Sequence, residues 1–484
     1  VTVELKVTNR FVSLIGADLS TIRLIDRICA YRISGYRFIP SYKSKRWDGR
    51  IHLFKFNKTH GYHAPSGMIF DIVDAFKSRK IPFEIKFDTK LHGKKLGLKW
   101  NKNIVLRDYQ KESVRSILSP PFKGRGVLKL PIRSGKTIVG AKIIQIIDRP
   151  TIFIVPSQWL LYQTIEQLEK CIGVKIGQIG DGCLDIKPIT VATIQTLSMR
   201  APIKGTKKRK GRKAHPLYHK ITNMFDVCIA DEIHHFNGKG DWFKVFSDCD
   251  CRFKIGLSAT VFFDNDTEQS NGIIWVRGTC GPIRYDVPVS RLIRDGYLLQ
   301  QQVKIYRVDK PKQTLSSYSR TLKDNCIIKN QYRNNLIAKI VQENITKKTI
   351  VIANEHAHIN AICEELEKLN IDFCTLTGKD NKNRRQFVVS QFVSGEINVI
   401  VGNVLSEGVD IPEIECVINA EGGKDDKKTW QRQRNLTISN NPNKIPVMID
   451  FYDETSDYFE KHSKARIKIY TSEQEFKTEF IGWS

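Results

Sequence analysis

The sequence predicts an α/β protein in which two doubly wound parallel-sheet domains follow a small basic α/β module. Three observations carry this. From Leu106 to about Pro288, and again from Thr349 to about Asp453, short continuous apolar runs alternate with segments of helical period. That is the texture of strands buried on both faces and of the helices that connect them. Residues 1–100 differ in composition, with 20 Lys or Arg against 8 Asp or Glu. The length of 484 residues accommodates about three domains at roughly 100–200 residues each.

The first module, residues 1–100, reads as a nucleic-acid-binding domain. Its stretch from Tyr31 to Phe56 interleaves Arg32, Arg37, Lys43, Lys45, Arg46 and Arg50 with Tyr36, Phe38, Tyr42 and Trp47. Cations there can neutralise phosphates while aromatic faces stack on exposed bases; the alternative for Phe38, Trp47, Ile51 and Leu53 is a place in a core. In residues 101–290, VLKLP, TIFIVP, ITVAT and FDVCIADE read as strands, and TIVGAKIIQII and WLLYQTIEQLEKCI as helices. In residues 291–453, TIVIAN, INVIVGN, ECVINA and PVMIDF read as strands and AICEELEKL as a helix, with Gly296–Asn330 as the connection. The tail, residues 454–484, is charged and reads as helical.

The formal net charge is +27. A surplus of that size favours a polyanionic partner. No run approaches the ~18 apolar residues of a membrane span, and the eleven cysteines are scattered without a C-x-x-C, so neither a zinc site nor a disulfide framework is expected. A cytoplasmic chain with no membrane partner is the expectation. The segment Lys204–Lys213 holds seven Lys or Arg in ten residues and reads as a mobile loop suited to phosphate contact.

Two local patterns carry chemistry. LKLPIRSGKT, Leu128–Thr137, lies between a predicted strand and a predicted helix. There backbone N–H groups face an anion, Lys136 reaches the β/γ-phosphates and the Thr137 hydroxyl can ligate Mg²⁺. Leu130 stands where the strict pattern has its first glycine. FDVCIADEIHH ends an apolar run in two carboxylates: Asp231 would hold Mg²⁺, through water, and Glu232 would orient and deprotonate an attacking water. The pair follows the lysine-bearing loop by about 95 residues, and together they point to nucleotide hydrolysis.

In this order the motifs resemble those of the superfamily 2 helicases and translocases, over nearly everything from Leu106 to Asp453. The resemblance implies two RecA-like motor domains with ATP and Mg²⁺ between them. It implies that LRDYQ reads adenine through Arg107 and Gln110, and that Ser134, Gly135, Lys136 and Thr137 cradle the phosphates. IVPSQWLLYQ and ITVATIQTL would touch a strand through Pro156, Thr193 and Gln195, and LTGKDNKNRRQF through Thr377 and Gly378. GLSAT, with Ser258, Ala259 and Thr260, would couple hydrolysis to movement, as would Gln431; SEGVDIP would bring Gly408 and Asp410 to ATP. The final motif departs from the family's Q-R-x-G-R-x-x-R. It reads Gln431-Arg432-Gln433-Arg434-Asn435, and a register with one missing glycine makes Arg434 the finger.

Within the superfamily the likeness is to the phage UvsW type of branch-migration helicase, through the basic first module and its S-K-R-W-D-G-R-I-H-L segment, Ser44–Leu53. This implies forked or branched DNA as the partner, bound by Arg46, Trp47 and Arg50. It also implies phage recombination or replication proteins as further partners, 3′ to 5′ movement, and a monomer as the simplest state. An RNA-stimulated ATPase and a weakly catalytic annealing protein are the rival expectations.

Overall fold

The computed structural model describes residues 2–32, 35–131, 133–202, 213–236, 240–259, 271–309, 319–377, 380, 382–403, 414–423, 445–472 and 475–483. The chain divides into two compact units, Val1–Val287 and Pro288–Ser484. No helix among the described residues is long and apolar enough to cross a membrane.

The first unit opens with a five-stranded sheet in the order β5-β6-β2-β1-β7. Its strands are β1 (Val3–Val7), β2 (Phe11–Ile15), β5 (Lys55–Asn57), β6 (Gly61–Pro65) and β7 (Phe83–Phe87). The short β3 (Ala30–Arg32) and β4 (Arg50–His52) pair separately, antiparallel. Val3, Leu5 and Val7 alternate inward along β1, as a half-buried strand requires. The helix Ile69–Ser78 buries Ile69, Ile72, Val73 and Phe76 on the same core, a helical stripe. The helix Leu19–Ile28 is capped by Asp18, whose carboxylate accepts from Thr21 N at 2.9 Å. It buries Thr21 and Ile25 and leaves Arg23 and Arg27 exposed.

This module is keyed into the sheet that follows. Arg125, buried at the start of β8 (Arg125–Lys129), donates to Ser66 Oγ and Asn9 O, each at 2.7 Å. Asn9 Nδ2 donates to the carbonyls of Lys90 and Asp250 at 3.0 Å. Arg277 Nε donates to Asp71 at 2.9 Å. Gly67 leaves no room for a Cβ, because the carbonyls of Arg277 and Gly278 stand against it.

That second sheet has eight strands in the order β11-β10-β12-β9-β13-β14-β8-β15. They are β8, β9 (Thr151–Val155), β10 (Gly177–Gly180), β11 (Cys183–Asp185), β12 (Ile189–Thr193), β13 (Val227–Asp231), β14 (Phe253–Ser258) and β15 (Ile283–Asp286). All pairings are parallel except β10 with β11. β9, β12 and β13 are buried along their whole length, as their unbroken apolar runs require.

The second unit holds a seven-stranded parallel sheet in the order β18-β19-β17-β20-β21-β16-β22. Its strands are β16 (Gln302–Val308), β17 (Thr349–Ile352), β18 (Cys374–Leu376), β19 (Val399–Gly402), β20 (Cys416–Asn419), β21 (Val447–Asp453) and β22 (Lys477–Ile481). Two strands depart from the sequence expectation. Gln302–Val308 lies within the segment read as a connection, yet it pairs with β21 and β22. Its alternation of Val303, Ile305 and Val308 with polar residues lacks the continuous apolar run of its neighbours. The tail forms the expected helix, Asp457–Ser472, and then adds β22 as an edge strand.

Candidate active site

Three adjacent central strands of the eight-stranded sheet end together. β8 leads towards the helix Lys136–Ile147, β14 ends at Ser258, and β13 ends at Asp231. Because β14 lies between β13 and β8, Ser258 stands between the phosphate-loop segment and the two carboxylates. The backbone binds the first junction: Leu130 N donates to Ser258 O at 2.9 Å. Strand ends of this kind form the crevice in which open α/β sheets hold ligands.

The loop is held from below by the segment read as the adenine-binding motif. Tyr109 Oη and Gln110 Nε2 donate to Ser134 O at 2.8 and 2.7 Å, and Arg107 N donates to Gln110 Oε1 at 3.0 Å. Both ends of the Gln110 amide are thus engaged within the chain, and Gln110 acts here as a strut for the loop. Ser134 is buried, its Oγ donating to Pro131 O at 2.6 Å. Gly135 has φ +78°, and a Cβ there would lie 2.5 Å from Gln110 Nε2. The strut and the left-handed turn both require glycine.

Lys136, at the first helical position, places Nζ 3.5 Å from Glu232 Oε1. Glu232 follows β13 with φ +52°, a strained conformation for a residue with a side chain. Its Oε2 faces His234 Nδ1 at 3.1 Å and accepts from Ser258 Oγ at 3.3 Å, while His234 Nδ1 and Ser258 Oγ are 2.8 Å apart. Lys136, Glu232, His234 and Ser258 therefore form one polar network across three strand ends. Asp231 is 5% exposed. Burial, and next the charge of Glu232, push its carboxyl up to about 6, against the pull of Lys136 and of Glu232 N, which donates to Oδ1 at 3.0 Å. Ala259 is buried directly after Ser258.

The residues of the first unit that the resemblance assigns to strand contact sit at neighbouring ends of β9 and β12. Gln195 Nε2 donates to Pro156 O at 2.7 Å, joining the two segments, and Thr193 Oγ1 donates to Thr196 Oγ1 at 2.8 Å. In the second unit Thr377 donates to Asp380 Oδ2 from N at 2.6 Å and from Oγ1 at 3.0 Å. Arg46 is exposed and Arg50 half-buried. Trp47 is half-buried, its indole N–H donating to Arg50 O at 2.6 Å. Of the residues read as either binding or core groups, Phe38 is 80% exposed and Leu53 is buried. Thr260, Gly378, Gly408, Asp410, Gln431 and Arg434 lie outside the described residues, as does residue range 204–212 of the basic segment.

Sequence reasoning missed Tyr109 and His234, although both lie inside motifs it had selected. It also missed the buried anchors of the second unit. Arg333 Nε donates to Asp453 at 2.7 Å and Nη1 to Ala420 O at 2.7 Å. Arg466 pairs with Asp450 at 3.0 Å. A charged residue on the buried stripe of each helix was the available signal.

The fold and this network define a nucleotide-dependent motor. Residues 103–263 match the family model for the type III restriction enzyme res subunit, and residues 332–434 that of the helicase conserved C-terminal domain. The chain belongs to the superfamily 2 helicases, enzymes that use ATP. It is 25% identical over 400 residues to the DNA 3′-5′ translocase XPB2 of Sulfurisphaera tokodaii, covering 73% of this chain and 83% of that one. It is 23% identical over 449 residues to the ATP-dependent DNA helicase uvsW of Enterobacteria phage T4, covering 85% and 82%. The chain spans about half the length of further XPB and Rad25 relatives. Its fold is similar to that of Saccharomyces cerevisiae Dbp5 bound to RNA and ADP BeF3, with TM-score 0.52 and 15% identity over 77% of this chain and 89% of that one.

Proposed function

We propose that this chain is an ATP- and Mg²⁺-dependent DNA translocase that acts on forked or branched DNA, in branch migration or fork reversal during phage replication, recombination or repair. The observation that carries the reading is the network of Lys136, Glu232, His234 and Ser258, which ties the phosphate loop, the hydrolytic carboxylate and the coupling segment together. The XPB2 and uvsW relatives act on DNA by name, which favours DNA over RNA, and 3′ to 5′ movement follows the XPB2 name.

In this reading Lys136 exchanges its 3.5 Å contact with Glu232 for the β/γ-phosphates when ATP binds. Glu232, released from Lys136 and still held by His234 and Ser258, orients the attacking water and takes its proton. The Thr137 hydroxyl and the Asp231 carboxylate fit Mg²⁺: both are hard oxygen donors, and Asp231 is a buried acid whose charge is under-compensated. When bound, the ion supplies charge neutralisation at the phosphate oxygens. Ser258 passes the state of Glu232 to the residues after β14. Pro156, Thr193, Gln195, Thr377 and Gly378 grip the backbone, Gly408, Asp410 and Arg434 complete the ATP site, and Arg46, Trp47 and Arg50 meet the branch.

Lys136→Ala and Glu232→Gln should each lower DNA-stimulated phosphate release by about 10³-fold or more while fork binding stays within about threefold. Stimulation should be greater with forks and four-way junctions than with RNA. Unchanged turnover in either variant, or stimulation by RNA alone, would overturn the reading.

A further inference from the structure

The first module carries a cleft that no motif of the motor accounts for. It opens between the helix Leu19–Ile28 and the β5–β6 hairpin, with a volume of about 300 Å³, the lower end of the range for small-ligand sites. One wall is aromatic. Phe54 and Tyr62 stack with centroids 5.7 Å apart and planes 20° apart, and Phe56 tilts against Tyr62 at 4.9 Å. Phe54 is buried, but Phe56, on the edge strand, is 63% exposed.

The facing wall is cationic. Arg23 and Arg27 are i and i+4 on the outer face of their helix, about 6 Å apart along its axis, and Lys55 extends from the hairpin; all three are exposed. None of them has a carboxylate partner among the described residues. The one carboxylate in the cleft, Asp26, is held by His52 Nδ1 at 2.9 Å. It repels phosphate from the floor and offers an acceptor to the amino or imino N–H of a base.

We infer that this cleft takes one unpaired nucleotide of a DNA strand, its base against Phe56 and Tyr62 and its flanking phosphates on Arg23, Arg27 and Lys55. A strand suits the cleft better than a free nucleotide, because the cations are spread along its rim and the adjacent helix N-terminus is already capped by Asp18. At a branch point, where pairing is interrupted, a base enters without the cost of opening a duplex. The inference rests on the proposed DNA-branch function and supplies a means of telling a fork from a flush duplex.

The test is equilibrium binding of the full chain, without ATP, to a labelled fork and to a flush duplex of equal length. Phe56→Ala should weaken fork binding by roughly tenfold, the size of one base–aromatic stack, with duplex binding changed less than twofold; Phe56→Trp should restore it. Arg23→Ala/Arg27→Ala should likewise reduce the preference for the fork. DNA-free ATPase should be unchanged in every variant. Fork affinity equal to wild type in both variants, or equal loss on fork and duplex, overturns the inference. So does competition of fork binding by millimolar free nucleoside monophosphate, which would mark a small-molecule site. Failure of the functional reading appears elsewhere, as absence of DNA-stimulated ATPase in the wild type.

Discussion

Asp231 is held at a cost to the nucleotide-free protein. Its carboxyl titrates at about 6 in the folded chain against 3.8 ordinarily, chiefly because it is buried. The folded state binds this proton more tightly than the unfolded chain does. Above pH 6 the buried charge opposes folding, and the penalty fades as pH falls from 6 towards 4. Asp231→Asn should therefore stabilise the nucleotide-free protein at pH 7.5, on the order of 3 kcal/mol, while abolishing hydrolysis. Thermal unfolding checks this: the gain in midpoint over wild type should hold above about pH 6 and shrink between pH 6 and pH 4. Ser258 is a positioning residue. Ser258→Ala removes the hydroxyl that donates to Glu232 Oε2 and should lower the rate of hydrolysis about tenfold with little change in KM for ATP, as steady-state kinetics would show.

At the level of elements, β8 joins two tasks. Its first residue, Arg125, locks the N-terminal module to the motor sheet, and its far end becomes the phosphate loop. Burial pushes the Arg125 guanidinium down to about 10, so it stays charged, held by neutral oxygens. Ser66 Oγ already donates to Asn9 O at 3.1 Å, so loss of the guanidinium leaves those oxygens bonded to each other. Arg125→Ala should cost about 2–4 kcal/mol through the cavity. Arg125→Met, which fills the volume, should cost under about 1 kcal/mol. Denaturant unfolding of the two variants would separate cavity from charge. The strand order was not readable here. β14 follows β13 in the chain and inserts between it and β8, a choice made by side-chain packing between strands that no local pattern reveals. The alternating β16 and the exposed β22 were passed over for the opposite reason, since neither has a continuous apolar run.

For the whole molecule, the charge of +27 means that DNA binding should fall steeply with salt. Each single-strand phosphate contact contributes about 0.7 to the log–log slope, so Arg23→Ala/Arg27→Ala should flatten the slope for forks by about 1.4. A salt titration of fork binding measures it directly. The amino-acid sequence by itself determined the parallel-sheet class and singled out Lys136 and the Asp231–Glu232 pair as candidate site residues, because buried strands and anion-binding turns are local patterns of apolarity and glycine. The tertiary structure alone decided that Ser258 and His234 meet Glu232, that Gln110 braces Ser134, and that Arg23 faces Phe56 across a cleft. Apart from His234, two residues from Glu232 and turned onto it by the backbone after β13, those meetings join residues distant in the chain, and they depend on which strands and helices pack side by side.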